Sequence, residues 1–294
     1  MVRWLVTGAG GMLGQELVPL LPRSTTTALS RRDLDVTNEQ AVLAAVAGHD
    51  VVANLAAWVD ADRAEAEPGP ASRVNATGAA NVARACRLHG ARMIHISSDY
   101  VFDGSATEPY PEDATVRPIS AYGRGKAEGE RAVLACLPET GLILRTAWLF
   151  GAYGKNFVGT MHRLAETRDH VDVVTDQTGQ PTWARDLAER IVRVVEVGVP
   201  AGIYHATNGG SATWFELARA VFAATGHDPG RVRPTTSDRL GRAAPRPRYS
   251  VLSHDGWRRT VLPPMRHWRA AFDAAMPTLI PNQALTPNQE GRSR

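Results

Sequence analysis

The sequence predicts an α/β fold, a doubly wound parallel sheet with a smaller carboxy-terminal lobe, on three observations. Apolar strand-like segments alternate with segments of helical period through the first half of the chain. A turn with Gly8, Gly11 and Gly14 spaced by three sits where the first strand passes into the first helix. After Trp148 the alternation gives way to short segments, several rich in proline and arginine. Repeated strand, helix, strand units imply right-handed crossovers, which build a parallel sheet with helices on both faces.

The alternating segments are 2–7, 11–21, 25–30, 38–47, 50–56, 70–88, 92–98, 120–136 and 141–147. Val2 to Val6 are mostly apolar, as a strand buried on both faces requires, while Met12, Leu13, Leu17, Leu20 and Leu21 recur at helical spacing. Thr37 with Gln40 offers a capping box for the second helix, and Gly90 stops the third. Beyond Trp148 come a loop (149–154), a helix (155–167), a short strand near 171–174 and a polar turn (175–183). Helix 184–197 and strand 202–206 then read as a return to the main sheet, and an amphipathic helix follows at 213–226. Residues 1–147 and 184–206 therefore make the Rossmann domain, 148–183 and 207–282 a substrate lobe, and 283–294 a polar tail expected to be disordered. One α/β unit with an added lobe absorbs the 294 residues.

Composition narrows the function. Hydrophobic residues make up 44% and charged residues 21%, near the globular averages of about 45–50% and 25%, so the chain is a folded, soluble one. The net charge of +3 is dispersed and carries no basic run interleaved with aromatics, which argues against a nucleic-acid surface. Lys126 and Lys155 are the only lysines, so the basic balance is arginine, as a GC-rich coding genome produces. Cys86 and Cys136 lack metal-ligand spacing, and none of the nine histidines has another three or four residues away, so no zinc site is expected. Arg3 and the glycine turn interrupt any leader-like apolar run, and no stretch approaches the ~20 residues of a membrane span. A cytoplasmic protein without a membrane partner is the expectation.

The glycine turn carries the first chemistry. Its backbone must turn tightly, approach a pyrophosphate and let the new helix pack close to the sheet, with helix-terminal amides facing the phosphates. An ordinary tight turn also uses glycine, and it is the position between two clear elements that favours a dinucleotide. Tyr122 and Lys126, four apart on a predicted helix, share one face. An ammonium beside a phenol favours the phenolate and suits a proton donor to a sugar or alcohol oxygen, although a surface Tyr/Lys pair has the same spacing. Ser97 and Ser98 end the strand RMIHISS at its carboxyl end, where open α/β sheets place their ligands. Ser30, Arg31 and Arg32 precede Asp33 and Asp35 at the end of the second strand, and an arginine there accommodates a 2′-phosphate, unless these arginines are merely solvated.

These residues resemble the extended short-chain dehydrogenase/reductases, whose signature is a TGxxGxxG turn, here Thr7 to Gly14, with a Ser/Thr, Tyr and Lys set, here Ser98, Tyr122 and Lys126. More narrowly, the blocks LDVTNEQAV (34–42), NLAAWVDADRAEAEP (54–68), SSDYVFDG (97–104), YGRGKAEGE (122–130), LRTAWLFG (144–151) and DQTGQPTWARDLA (176–188) resemble dTDP-4-dehydrorhamnose reductases. The resemblance covers nearly all of residues 1–275. It implies hydride transfer to the C4 ketone of a dTDP-linked 6-deoxyhexulose, with Tyr122 as proton donor, Lys126 tuning it and Ser98 polarising the carbonyl. It implies cofactor contacts at Gly8, Gly11, Met12, Leu13, Gly14, Ser30, Arg31, Asp35, Val36, Ala56, Ala57, Trp58, Asn75, Tyr122 and Lys126. NADPH is the expected cofactor, with NADH tolerated. Beside Ser98 and Tyr122, sugar or nucleotide contacts are implied at Asp99, Tyr100, Trp148, Asn156 and Thr182. Asp99 also reads as a loop cap, Tyr100 and Trp148 as core, and Asn156 and Thr182 as cap or turn residues.

The chain departs from the family at Trp58-Val59-Asp60-Ala61-Asp62, where a Tyr-Thr-Ala-Val-Asp run is usual and a hydroxyl has become the methyls of Val59. A different sugar, reduced with ring contraction as in dihydrostreptose synthesis, is the alternative this suggests. A dehydratase would want a glutamate where Tyr100 stands, and a non-catalytic subunit has no need to keep Ser98, Tyr122 and Lys126 together. Some family members dimerise through a magnesium ion. Only Glu16 matches a ligand, it otherwise reads as a helix-surface acid, and monomer and homodimer both stay open.

Overall fold

The computed structural model describes residues 1–280; the tail expected at 283–294 lies outside the described residues. Six strands, β1 (Trp4–Thr7), β2 (Thr26–Leu29), β3 (Val51–Asn54), β4 (Arg92–Ser98), β5 (Gly141–Thr146) and β6 (Gly202–His205), form one sheet in the order β6-β5-β4-β3-β1-β2. Every adjacent pair is parallel. The doubly wound sheet expected from the alternating pattern is therefore present, and β6 returns to its edge beside β5.

Alternation along the strands divides the core. Trp4 and Val6 join Leu13, Leu17, Ile94, Leu142, Leu187 and Ile191 on one face of the sheet, while Leu5 joins Val52, Val82, Met93, Val133 and Ile143 on the other. The principal helices are α1 (Met12–Leu17), α2 (Glu39–Val46), α3 (Ala79–His89), α4 (Ala121–Cys136), α5 (Phe157–Thr167), α6 (Ala184–Glu196), α7 (Trp214–Ala224) and α8 (Trp268–Leu279). A third apolar cluster, with Phe150, Val158, Val171, Leu217, Phe222, Trp268 and Phe272, is built by α5, α7, α8 and the parallel pair Val171–Val174 and Val232–Thr235. Trp257, Leu262 and Met265 pack instead against the sheet.

Local chemistry alters three of the expected elements. The first helix stops at Leu17 and tightens into a 3₁₀ turn over Val18–Leu20, because Pro19 brings no amide hydrogen to the ladder. The second helix is capped by Asn38, whose side chain accepts from the Ala41 amide at 3.1 Å. Thr37 is not the cap: its amide and hydroxyl donate to Asp35 Oδ1 at 2.9 and 2.8 Å. The run expected at 70–88 is a helix at Pro68–Ser72, a π-helical stretch at Arg73–Gly78 and then α3, which Gly90 ends in the left-handed conformation.

α4 packs close against both the π-helical stretch and the turn at Tyr100. A Cβ at Gly129 would strike the Asn75 carbonyl oxygen, one at Gly123 the Tyr100 carbonyl oxygen, and one at Gly125 would press on the Asn75 side chain at 3.2 Å. These glycines cost helix propensity and gain a backbone-to-backbone contact that no side chain permits. Gly129→Ala gains about 1 kcal/mol of propensity but must displace backbone, so a net loss of about 1–3 kcal/mol is expected in urea denaturation. Equal or greater stability would contradict the close-packing account.

The carboxy-terminal part is tied to the sheet side by Asp62 in the helix Ala61–Ala66. Arg246 donates to its two carboxylate oxygens at 3.0 and 2.8 Å, and the Ala244 amide adds a third bond at 3.0 Å. The Arg246 hydrogen bonds, opposed by burial, hold the Asp62 carboxyl down at about 2. A depressed folded pKa stabilises above the unfolded value near 3.9 and loses that contribution as pH falls through about 2. Asp62→Asn should therefore cost about 1–2 kcal/mol at pH 7, with the gap to the parent protein closing between pH 4 and pH 2 in denaturation curves. A gap constant across that window would refute the linkage.

Candidate active site

The sheet order reverses between β1 and β3, so the loops leaving these strands diverge and open a crevice at their carboxyl ends. Gly8 lies at φ +68°, and a Cβ there would stand 2.7 Å from the Ala56 amide nitrogen. A Cβ at Gly14 would meet the Ala9 carbonyl oxygen at 2.5 Å. The glycine turn is thus pressed against the β3 loop and its own helix, as the spacing required. Gly11 caps α1 without any side chain on the first-turn amides, which leaves a bare cradle suited to a pyrophosphate. Thr7 Oγ1 donates to Asn54 Oδ1 at 2.7 Å, and Asn54 Nδ2 lies 3.0 Å from His95 Nδ1, a buried polar line across β1, β3 and β4.

The expected cofactor residues divide by what they offer. Met12 is half-buried at the cradle, while the Leu13 side chain is core, so only its backbone faces the turn. Ser30 is occupied by Asp33, its amide and hydroxyl donating to Oδ2 at 2.9 and 2.6 Å. Arg31 stands exposed beside it, and Asp35 is engaged by Thr37. Val36 is buried and its carbonyl accepts from Asn81 Nδ2. Asn75 grips the Trp58 backbone, accepting from its amide at 2.8 Å and donating to its carbonyl at 3.0 Å. It thereby shapes the partly buried Ala56, Ala57 and Trp58 loop from behind.

The candidate catalytic residues meet where β4 ends against α4. Ser120 caps α4 through the Gly123 amide, and the helix carries Tyr122 and Lys126 on one face. Lys126 is buried, and Nζ donates to the Ile96 carbonyl at 2.6 Å. Burial pushes its pKa down to about 8 against the pull of Glu130. Burial likewise pushes the Tyr122 phenol up to about 12, with Ser98 lowering it and Asp99 raising it. This corrects the expectation that Lys126 depresses Tyr122: the ammonium is turned to a main-chain carbonyl, and desolvation decides the phenol. Tyr122 consequently holds its proton at neutral pH. Ser98 Oγ donates to Asp99 Oδ1 at 2.9 Å and accepts from the Tyr100 amide at 3.2 Å. Asp99 is buried and its carboxyl rises to about 6, chiefly by desolvation, which the Ser250 and Ser98 hydroxyls oppose. Tyr100 meets Tyr122 edge to face at 5.6 Å.

Two further residues of this region escaped the sequence reading. Thr146 is the register partner of Ser98 and has a buried hydroxyl without a partner among the described residues. Its place at a strand's carboxyl end is the signal that singled out Ser98. Arg246, whose charge interacts with Tyr100 while Asp62 holds it, is remote in sequence and left no local mark.

The lobe presents Trp148, half-buried and stacked on Trp214. Asn156 is used as the cap of α5, accepting from the Gly159 amide at 3.0 Å and donating to the Gly151 carbonyl at 2.9 Å. Thr182 has no exposed surface, and its hydroxyl bonds the Gln180 carbonyl at 3.2 Å. Both residues shape the wall through internal bonds. Glu16 is 9% exposed, not the surface acid expected, and burial raises its carboxyl against Arg185. No group of three metal-ligating side chains occurs among the described residues, and no helix among them is long and apolar enough to cross a membrane.

The comparisons with known proteins agree with this arrangement. The family model described as the RmlD substrate binding domain matches residues 2–280. A dTDP-4-dehydrorhamnose reductase of Streptomyces griseus is 53% identical over 285 residues, 94% of each chain. A dTDP-4-keto-6-deoxy-D-glucose reductase of Streptomyces niveus is 50% identical over 281 residues, 94% of this chain and 97% of that one. Among solved structures, the dTDP-4-dehydrorhamnose reductase of Bacillus anthracis in complex with NADP superposes with a TM-score of 0.89 at 37% identity, over 93% of this chain and 98% of that one. The chain belongs to the RmlD substrate binding domain family, that is, to the oxidoreductases of the dTDP-4-dehydrorhamnose reductase type.

Proposed function

We propose that this protein reduces the C4 ketone of a dTDP-linked 4-dehydro-6-deoxyhexose, converting dTDP-4-dehydro-L-rhamnose to dTDP-L-rhamnose at the expense of NADPH. The observation that carries the reading is Tyr122, a phenol kept protonated by burial at the end of β4, beside the Ser98 hydroxyl and one helical turn from Lys126. NADPH, when bound at the glycine turn, would supply the hydride to the ketone carbon. Tyr122 gives its proton to the oxygen, Ser98 donates to the same oxygen as charge develops, and solvent restores the Tyr122 proton. Ser98 reaches the oxygen by turning its hydroxyl from Asp99. Lys126, one helical turn from Tyr122 and bonded to the Ile96 carbonyl, is read as the group that holds the nicotinamide ribose.

The glycine cradle and uncapped amides of α1 support the pyrophosphate, and exposed Arg31 suits a 2′-phosphate. The two Streptomyces relatives are named for different sugars that share a dTDP-linked C4 ketone. The reaction class is therefore better supported than the sugar. Val59, 76% exposed on the loop that departs from the family, leaves ring-contracting reduction as the second reading.

Addition of dTDP-4-dehydro-6-deoxy-L-mannose to protein and NADPH should give loss of absorbance at 340 nm and dTDP-L-rhamnose by NMR. No turnover would sink the proposal, and a ring-contracted product would transfer it to the second reading. Tyr122→Phe should lower kcat by roughly 10² or more; a smaller drop would assign the proton to water or another acid. For cofactor choice, kcat/KM with NADPH and with NADH should differ less in Arg31→Ala than in the parent. An unchanged ratio would remove Arg31 from the 2′-phosphate site.

A further inference from the structure

Trp148 is the only non-glycine residue among the described residues with a positive φ, at +46°. Such a conformation is strained and persists only where the surroundings over-determine it. Two segments distant in sequence do so here. On one side the Trp214 indole stacks on it, with centroids 3.5 Å apart and planes within 6°. Against the same indole lies Gly179, where a Cβ would stand 2.5 Å from Cε2 and 2.7 Å from both Cζ2 and Nε1. The main chain is pinned as well, since the Trp148 carbonyl accepts from the Thr182 amide at 3.2 Å.

The two sides of this arrangement are themselves fixed to each other. Ala212–Thr213 pairs antiparallel with Thr178–Gly179, and Thr213 then begins α7 through a full capping box with Glu216, so Trp214 is the first residue of a well-anchored helix. Trp214 Nε1 donates to Gln177 Oε1 at 3.0 Å, and Gln177 Nε2 donates to Ser237 Oγ at 2.8 Å. Asp176 holds Ser237 in turn through its amide and hydroxyl. Phe157 closes on Trp214 at 4.5 Å. Trp148 itself follows β5 by two residues, and Thr146 at the end of that strand is paired with Ser98.

We propose that Trp214 and Gly179 form a clamp that holds Trp148 in its left-handed conformation, and that Trp214 is a positioning residue for the sugar of the nucleotide-sugar substrate. The inference rests on the proposed function, and it takes Trp148 as a wall of the sugar subsite from the contact that the family resemblance implies there. Trp214 acts through Trp148. Its ring denies the indole a rotamer in which the wall would retreat toward the α5 and α7 cluster. Gly179 is enforced, because any side chain there displaces the indole.

Kinetics and crystal structures of Trp214→Leu, Trp214→Phe and Gly179→Ala test the clamp. Trp214→Leu and Gly179→Ala should raise KM for the ketosugar and lower kcat/KM roughly 10- to 100-fold, while KM for NADPH and inhibition by dTDP alone change less than about twofold. Trp214→Phe keeps a stacking ring and should recover to within about threefold of the parent. In the Trp214→Leu crystal structure Trp148 should leave positive φ. An unmoved Trp148, or parallel loss of affinity for NADPH and dTDP, would overturn the proposal. Should Trp214→Leu fail to fold, Gly179→Ala decides: parent-like ketosugar kinetics with an unmoved indole would be fatal. If the parent turns over no ketosugar, the proposed function fails, whereas the Trp148 backbone in the variants still judges the clamp.

Discussion

The close approach of α4 to the backbone at Arg73–Gly78 and at Tyr100 is the constraint on which the rest of the site depends. Tyr122 and Lys126 can lie beneath the end of β4 only if their helix sits nearer to its neighbours than side chains allow. Glycine at 123, 125 and 129 removes the obstruction, and the wider π-helical turn brings Asn75 to the same place. From there Asn75 holds the Trp58 backbone with both ends of its amide. One packing event thus sets both the helix that carries Tyr122 and Lys126 and the Trp58 loop beside the crevice.

Close packing also creates the electrostatics. Water is excluded around Lys126, Asp99 and Tyr122, so the lysine is pushed toward neutrality while the carboxyl and the phenol are held toward their protonated forms. Further along α4, Glu130 meets Arg145 of β5 through two hydrogen bonds, and Arg145 also donates to the Glu112 carbonyl. A buried pair of this kind adds little net stability over an apolar equivalent. Loss of one partner costs about 3–5 kcal/mol, so it pins α4 to the sheet in one register.

Much of this was legible in the chain. The three-residue glycine spacing, the strand-to-helix junction and the Tyr122/Lys126 interval are local, and local geometry preserved them. Errors arose where residues had two local options. Thr37 turned back to Asp35 and left the cap to Asn38, and Pro19 shortened a helix whose apolar spacing ran on to Leu21. Asn156 and Thr182 lie in the right blocks, yet their polar atoms are used inside the wall. Glu16 reads as a surface acid on a helical wheel, because a wheel of α1 contains no α6 to bury it.

The order of strands and helices, the glycine turn and the shared face of Tyr122 and Lys126 were readable along the chain, since each depends on spacing within a few turns. Their burial and their partners came instead from the fold. Desolvation, not the neighbouring ammonium, governs Tyr122; Asp62 and Arg246 meet across 184 positions; and Trp148 is held by Gly179 and Trp214 from two other segments. Burial and contact between distant residues arise only when the chain closes on itself, and no periodicity records them in advance.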